Sequence, residues 1–337
     1  MWRLYLILYF ITLIFGSLVA ISSSSWFFAW VGLEVNLLAL MPLMSHLNKK
    51  YTSEATIKYF LIQAMASAMF LFSSIFSSIM DQLNNMEMAT LGSFFICSAL
   101  LLKMGAAPFH FWLPEVTSGS EWKMNFIILT WQKLAPMIII YSSMPTPIHF
   151  SIIVILSSIM GGIQGLNQTC LRKIMAYSSI NHSGWMIASI LVSVSVWLIY
   201  YMIYMLINFT IIMSLSKFNM KNIYQMNKLL SKNKTMKFMF MFNFLNLGGL
   251  PPFLGFLPKW LVISNLVMSN YYTLATLLII FTLITLYFYA RITMSTFSLN
   301  SKESIINFFS KLNYFYLMIN VFSLIGLISC TFLTMMF

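Results

Sequence analysis

Apolar stretches of about 20 residues, the length needed to cross a hydrocarbon core of roughly 30 Å, recur from Leu4 to Phe337 with only short breaks between them. Of the 337 residues, 60% are hydrophobic and 8% charged, so no water-soluble surface can be built from the remainder. The solvent is lipid, and no separate soluble domain is expected. Met1, Trp2 and Arg3 run straight into the first stretch, and no small-residue cleavage pattern follows it. It is therefore read as a retained helix rather than a secretory signal.

Segmentation gives eleven spans, at about 4–21, 26–45, 55–80, 89–115, 123–143, 149–167, 173–194, 196–216, 237–268, 272–297 and 313–336. The cations test this count, because Lys and Arg near span ends gather on the cytoplasmic or matrix side. With Arg3, the loops after even-numbered spans hold Lys49, Lys50, Lys58, Lys123, Arg172, Lys173, Lys217, Lys221, Lys228, Lys232, Lys234, Lys237, Arg291, Lys302 and Lys311. These are sixteen of the nineteen Lys and Arg residues, and the opposite loops carry only Asp81 and Glu87. Topology thus accounts for the net charge of +12 without a nucleic-acid partner. The expected orientation puts the N-terminus in the matrix or cytoplasm and the C-terminus on the far side.

Three lysines remain, Lys103, Lys133 and Lys259, and the count places them inside the membrane together with Glu34. A charge at that depth costs roughly 2.5–3.5 kcal/mol on insertion scales and cannot reach the interface from mid-helix. A structural ion pair would account for Glu34 and one lysine and leave two unexplained. Proton transfer accounts for all four. Desolvation disfavours an ammonium and a nearby carboxylate restores it, so moving the carboxylate loads or unloads a proton.

Two spans carry matching interruptions. The fourth reads Lys103 to Pro114 (KMGAAPFHFWLP) and the ninth Gly248 to Lys259 (GGLPPFLGFLPK), each with a lysine beside Gly and Pro residues that kink or unwind a helix. Five spans separate them, and five is odd. The expected layout is therefore two inverted five-helix repeats, 4–143 and 149–297, with helices four and nine broken, followed by an extra C-terminal helix at 313–336. Paired breaks of this kind point to a transport path. His110 lies in the first break and His182 in the seventh span; either can relay a proton, or simply bond a carbonyl. His46 and His149 fall at span edges. Cys97, Cys170 and Cys330 form no paired motif, and no metal, dinucleotide or ATP signature occurs.

The stretches Trp30 to Asn36 (WVGLEVN), Lys103 to Pro114, Thr130 to Pro136 (TWQKLAP), Leu166 to Trp185 (LNQTCLRKIMAYSSINHSGW) and Leu247 to Trp260 (LGGLPPFLGFLPKW) resemble the antiporter-like membrane subunits of respiratory complex I, NADH:ubiquinone oxidoreductase. The resemblance covers nearly the whole chain and points to the animal mitochondrial form, which lacks three helices of the bacterial members. A composition rich in Phe (31) and Met (28) fits mitochondrial coding. The resemblance implies proton translocation from the matrix to the intermembrane space across the mitochondrial inner membrane. It implies that Glu34 and Lys103 are the coupled pair of the first half-channel, Lys133 the central relay and Lys259 the residue near the exit. It implies no cofactor in this chain, with NADH, FMN, Fe-S clusters and ubiquinone bound by other subunits. The implied partners are the other membrane-arm subunits, including a neighbouring antiporter-like one, and membrane lipids. Two rival readings stand beside it. One is a cation/proton antiporter of the related multi-subunit type, and the other is a scaffold in which the buried charges are dispensable.

Overall fold

The computed structural model describes residues 2–45, 50–82, 86–143, 146–225, 234–251 and 253–298. The 313–336 span, His46 and Cys330 lie outside the described residues. Among those described there are thirteen α-helices: α1 (Trp2–Ser22), α2 (Trp26–Ser45), α3 (Lys50–Gln82), α4 (Met86–Met104), α5 (Trp112–Gly119), α6 (Trp122–Leu129), α7 (Trp131–Ser142), α8 (Pro147–Leu166), α9 (Leu171–Val192), α10 (Val194–Lys217), α11 (Lys234–Gly248), α12 (Phe256–Met268) and α13 (Tyr272–Ser298). Each sequence span within the described residues has its helix or pair of half-helices. The chain is an all-helical, polytopic membrane protein.

Among the described residues, seven stretches are long and apolar enough to cross a membrane: α1, α2, α3, the α6–α7 stretch Trp122–Ser142, α8, α10 and α13. Helix α9 is long but too polar for that measure, and most of its side chains are buried instead. α1 shows the opposite surface, with Leu4, Leu8, Ile11, Phe15 and Leu18 all exposed, as befits a lipid-facing helix. Hydroxyls in the spans bond the carbonyl three residues back on their own helix, as at Ser17, Ser73, Ser178, Ser183 and Ser214. These hydroxyls are thus satisfied within their own helices.

The chain divides into two compact units with the boundary between Ile153 and Val154. In the first, α2 packs on α1 and α3, α3 on α4 and α5, and α7 on α4, α6 and α1. In the second, α9 packs against α10, α12 and α13, and α11 against α10 and α13. Within the second unit the loops after α8 and α10 pair, through an antiparallel bridge between Cys170 and Asn222. Arg291 near the end of α13 joins them, donating to the carbonyls of Leu166 and Gln168. Leu166 O is the last carbonyl of α8 and Gln168 O lies two residues beyond it, at the negative end of a helix, where a cation is favoured.

Candidate functional site

The two sequence breaks are real and share one geometry. α4 ends at Met104 and Gly105 turns into the left-handed region at φ 68°, while α11 ends at Gly248 and Gly249 does the same at φ 75°. Ala106 then donates to Leu101 O and Leu250 to Leu245 O, the six-residue closure of a Schellman cap. Helices α5 and α12 both begin seven residues past the capping glycine, at Trp112 and Phe256, so the interruptions have equal length. In a superposition of the sequences alone on their capping glycines, Pro108 falls with Pro252, Phe109 with Phe253, Leu113 with Leu257 and Pro114 with Pro258.

That register separates the two lysines. The lysines beside the breaks are not equivalent: Lys103 lies two residues before its glycine, Lys259 ten residues after. Three dimensions reconcile them. Lys103 stands in the last turn of α4, and Lys259 reaches from α12 to donate to the Gly248 carbonyl of α11 at 2.7 Å. Lys259 therefore serves the negative end of its leading half-helix, whereas Lys103 is itself part of the last turn of its own.

Around Lys103 the freed carbonyls of Leu102 and Lys103 are taken up by protein. Leu102 O accepts from Gly105 N–H and from the Trp112 indole at 3.0 Å, and Lys103 O accepts from the Gln63 amide on α3 at 3.1 Å. The Lys103 ammonium itself, on a residue only 5% exposed, has no hydrogen-bond partner among the described residues. The charge acting on it is the Glu34 carboxylate of half-buried α2, which also acts on the Tyr59 hydroxyl. Glu34 and Lys103 are thus electrostatic neighbours without being locked in an ion pair.

Lys133 is fully buried, at 0% exposure. It follows a third discontinuity, which sequence reading missed. The fifth span breaks at Thr130, whose φ of −117° and ψ of −73° leave the helix, and α7 restarts at Trp131. Lys133 N–H bonds Thr130 O in a tightened first turn. The available signal was Pro136, which cannot donate to the Gln132 carbonyl one turn back. Gln132 also ties this restart to α2, its amide donating to Asn36 Oδ1 at 3.0 Å, two residues from Glu34. The first unit so gathers Glu34, Lys103 and Lys133 on packed elements.

In the second unit Lys259, 7% exposed, lies with its ammonium 6.0 Å from the Trp185 ring centroid. Gly255 N–H donates to Asn246 Oδ1 at 2.7 Å, which folds the break back onto α11. His182 and the Tyr200 hydroxyl share a hydrogen bond at 2.8 Å, with Tyr204 packed against the imidazole. His110 is buried in the first break, its Nδ1 3.2 Å from the Pro108 carbonyl, and stacks on Phe111. His149 meets the Thr146 hydroxyl at the start of α8. Among the described residues no three His, Cys, Asp or Glu side chains cluster to hold a metal.

Residues 23–285 match the family described as NADH:quinone oxidoreductase/Mrp antiporter, transmembrane. The chain is 45% identical over 328 residues to the NADH-ubiquinone oxidoreductase chain 2 of Anopheles gambiae, covering 95% of each protein. It is 43% identical over 329 residues to that of Aedes aegypti, covering 96% of each. Among solved structures, a chain of the respiratory complex I from Thermus thermophilus with bound aureothin superposes with a TM-score of 0.84. That match has 23% identity and covers 96% of this chain and 77% of that one, a likeness of fold. With three-quarters of its length matched by the family and two insect relatives aligned nearly end to end, the chain belongs to the NADH:quinone oxidoreductase/Mrp antiporter family.

Proposed function

We propose that this protein is a proton-translocating, antiporter-like subunit in the membrane arm of a mitochondrial NADH:ubiquinone oxidoreductase. The observation that carries the reading is the Lys103 ammonium, buried without a hydrogen-bond partner among the described residues and acted on, besides its burial, by the Glu34 carboxylate. A group so held changes its proton affinity whenever that carboxylate moves or is neutralised. A permanent structural pair would be closed by direct hydrogen bonds instead.

In this reading Glu34 and Lys103 take up and gate the proton, Lys133 is the central relay, and Lys259 releases it toward the intermembrane space. His182 and His110 are further relay groups. Eleven spans in two inverted five-helix repeats and a C-terminal helix provide the frame, and the two equal seven-residue breaks support that layout. The convergence of the loops after α8 and α10 with Arg291 of α13 supports a single cationic face, with the N-terminus in the matrix. Moving one charge against 100 mV costs about 2.3 kcal/mol, and the driver is electron transfer in other subunits, which hold NADH, FMN, Fe-S clusters and ubiquinone. Neighbouring membrane-arm subunits and lipid cover the exposed apolar helices.

The test is Lys133→Met in the assembled complex, reconstituted in sealed vesicles. Fewer protons moved per NADH oxidised is the expected result. A variant that assembles and keeps the full ratio overturns the reading.

A further inference from the structure

The superposition of the two breaks puts Glu115 of α5 where α12 carries Lys259. Each trailing half-helix thus bears an ionisable side chain at its fourth residue. Glu115 does not turn to its own break. Its Oε2 accepts from Lys58 Nζ on α3 at 2.6 Å, with both side chains more than half exposed. The contact is at the edge where α5 meets the beginning of α3, so close that a Cβ on Gly119 would stand 2.7 Å from Tyr51 O. Glu54, one turn before Lys58, and Glu121 and Lys123, just after α5, complete the charged groups around this edge.

From that edge α3 leads inward. Tyr59 follows Lys58 but points into the core, 2% exposed, its ring 5.8 Å from that of Trp112, the first residue of α5. Helix α2, which carries Glu34, packs on α3. One turn further, on the same face as Tyr59, Gln63 holds the Lys103 carbonyl. Within two turns, one helix connects an exposed acid–base pair, a buried phenol and both members of the Glu34–Lys103 pair.

Resting on the function proposed above, we infer that the Lys58–Glu115 pair is the proton entrance of the first unit and that Tyr59 carries protons from it to Glu34. Glu115 takes a proton from water and passes it, through water, to the Tyr59 hydroxyl oxygen. The hydroxyl's original proton goes to the Glu34 carboxylate. Glu115 returns to a carboxylate, the phenol is regenerated, and one proton has moved from solvent to Glu34. Lys58 positions the carboxylate.

The experiment compares Glu115→Gln, Tyr59→Phe and Lys133→Met in the whole complex in sealed vesicles, reading protons moved per NADH and the solvent deuterium isotope effect on turnover. Tyr59→Phe keeps the ring against Trp112 and is the variant least able to disturb folding. Expected are a lowered ratio in all three, a larger isotope effect in Tyr59→Phe, and recovery of part of the ratio in Glu115→Asp. Wild-type ratios in Glu115→Gln and Tyr59→Phe beside a lowered ratio in Lys133→Met overturn the inference alone. A full ratio in Lys133→Met overturns the underlying function, and this inference with it.

Discussion

Lys259 illustrates how a buried charge is made tolerable. Its ammonium donates to Gly248 O, the terminal carbonyl of α11, so one contact satisfies a donor and an acceptor that would otherwise be stranded in hydrocarbon. Lys259→Met should therefore cost about 1–3 kcal/mol through the carbonyl it leaves open, apart from any effect on pumping. Lys259→Arg, which keeps a donor, should recover much of that loss in the thermal midpoint of the detergent-solubilised complex. Gly255 is more rigidly constrained, because an added Cβ would collide with the Asn246 carbonyl oxygen. Gly255→Ala should lower the amount of assembled complex on a native gel while leaving the transcript level unchanged. Depth and charge marked these lysines in the sequence; which carbonyl each one serves was not legible there, since that depends on how the chain folds back at the break.

At the scale of elements, three discontinuities each set a lysine beside a helix end: α4 to α5, α6 to α7, and α11 to α12. Two of them close with a left-handed glycine, a conformation that costs an L-residue roughly 1–2 kcal/mol. Gly105→Ala should pay that penalty and also crowd the Leu113 side chain, whose Cδ1 would lie 2.7 Å from the new methyl. Gly105→Asn should be milder at the backbone, since the same left-handed position past α10 and α12 is held by Asn219 and Asn270. Thermal unfolding of the purified complex, comparing the two variants, measures the difference. The Gly/Pro signals announced the first and third discontinuities. The second carries its proline after the break rather than within it, and the long apolar run of the fifth span reads as one helix until Thr130 is seen to leave it.

For the whole molecule, the proposed topology is open to direct chemistry. An impermeant amine reagent should modify the exposed Lys123 and Lys221 when applied from the matrix side, and neither when applied from the intermembrane side. Labelling of either lysine from the intermembrane side contradicts the orientation. The cationic residues also turn out to be structural within each unit: Lys58 bridges α3 to α5, and Arg291 closes the end of α8. By itself the sequence determined that the chain is a bundle of membrane helices, where two of them break, and which charges lie too deep to be solvated. Those properties follow from local hydropathy and from the cost of burying a charge or an open carbonyl, and neither needs long-range contacts to be read. Only the tertiary structure decided that Lys259, which follows its break in sequence, reaches back to the negative end of the leading half-helix, while the Lys103 ammonium meets no hydrogen-bond partner among the described residues. It alone set Glu115 in the register of Lys259 and turned it outward to Lys58. The physical reason is that a broken helix frees carbonyls at its end, and which donor meets them is settled by packing between elements.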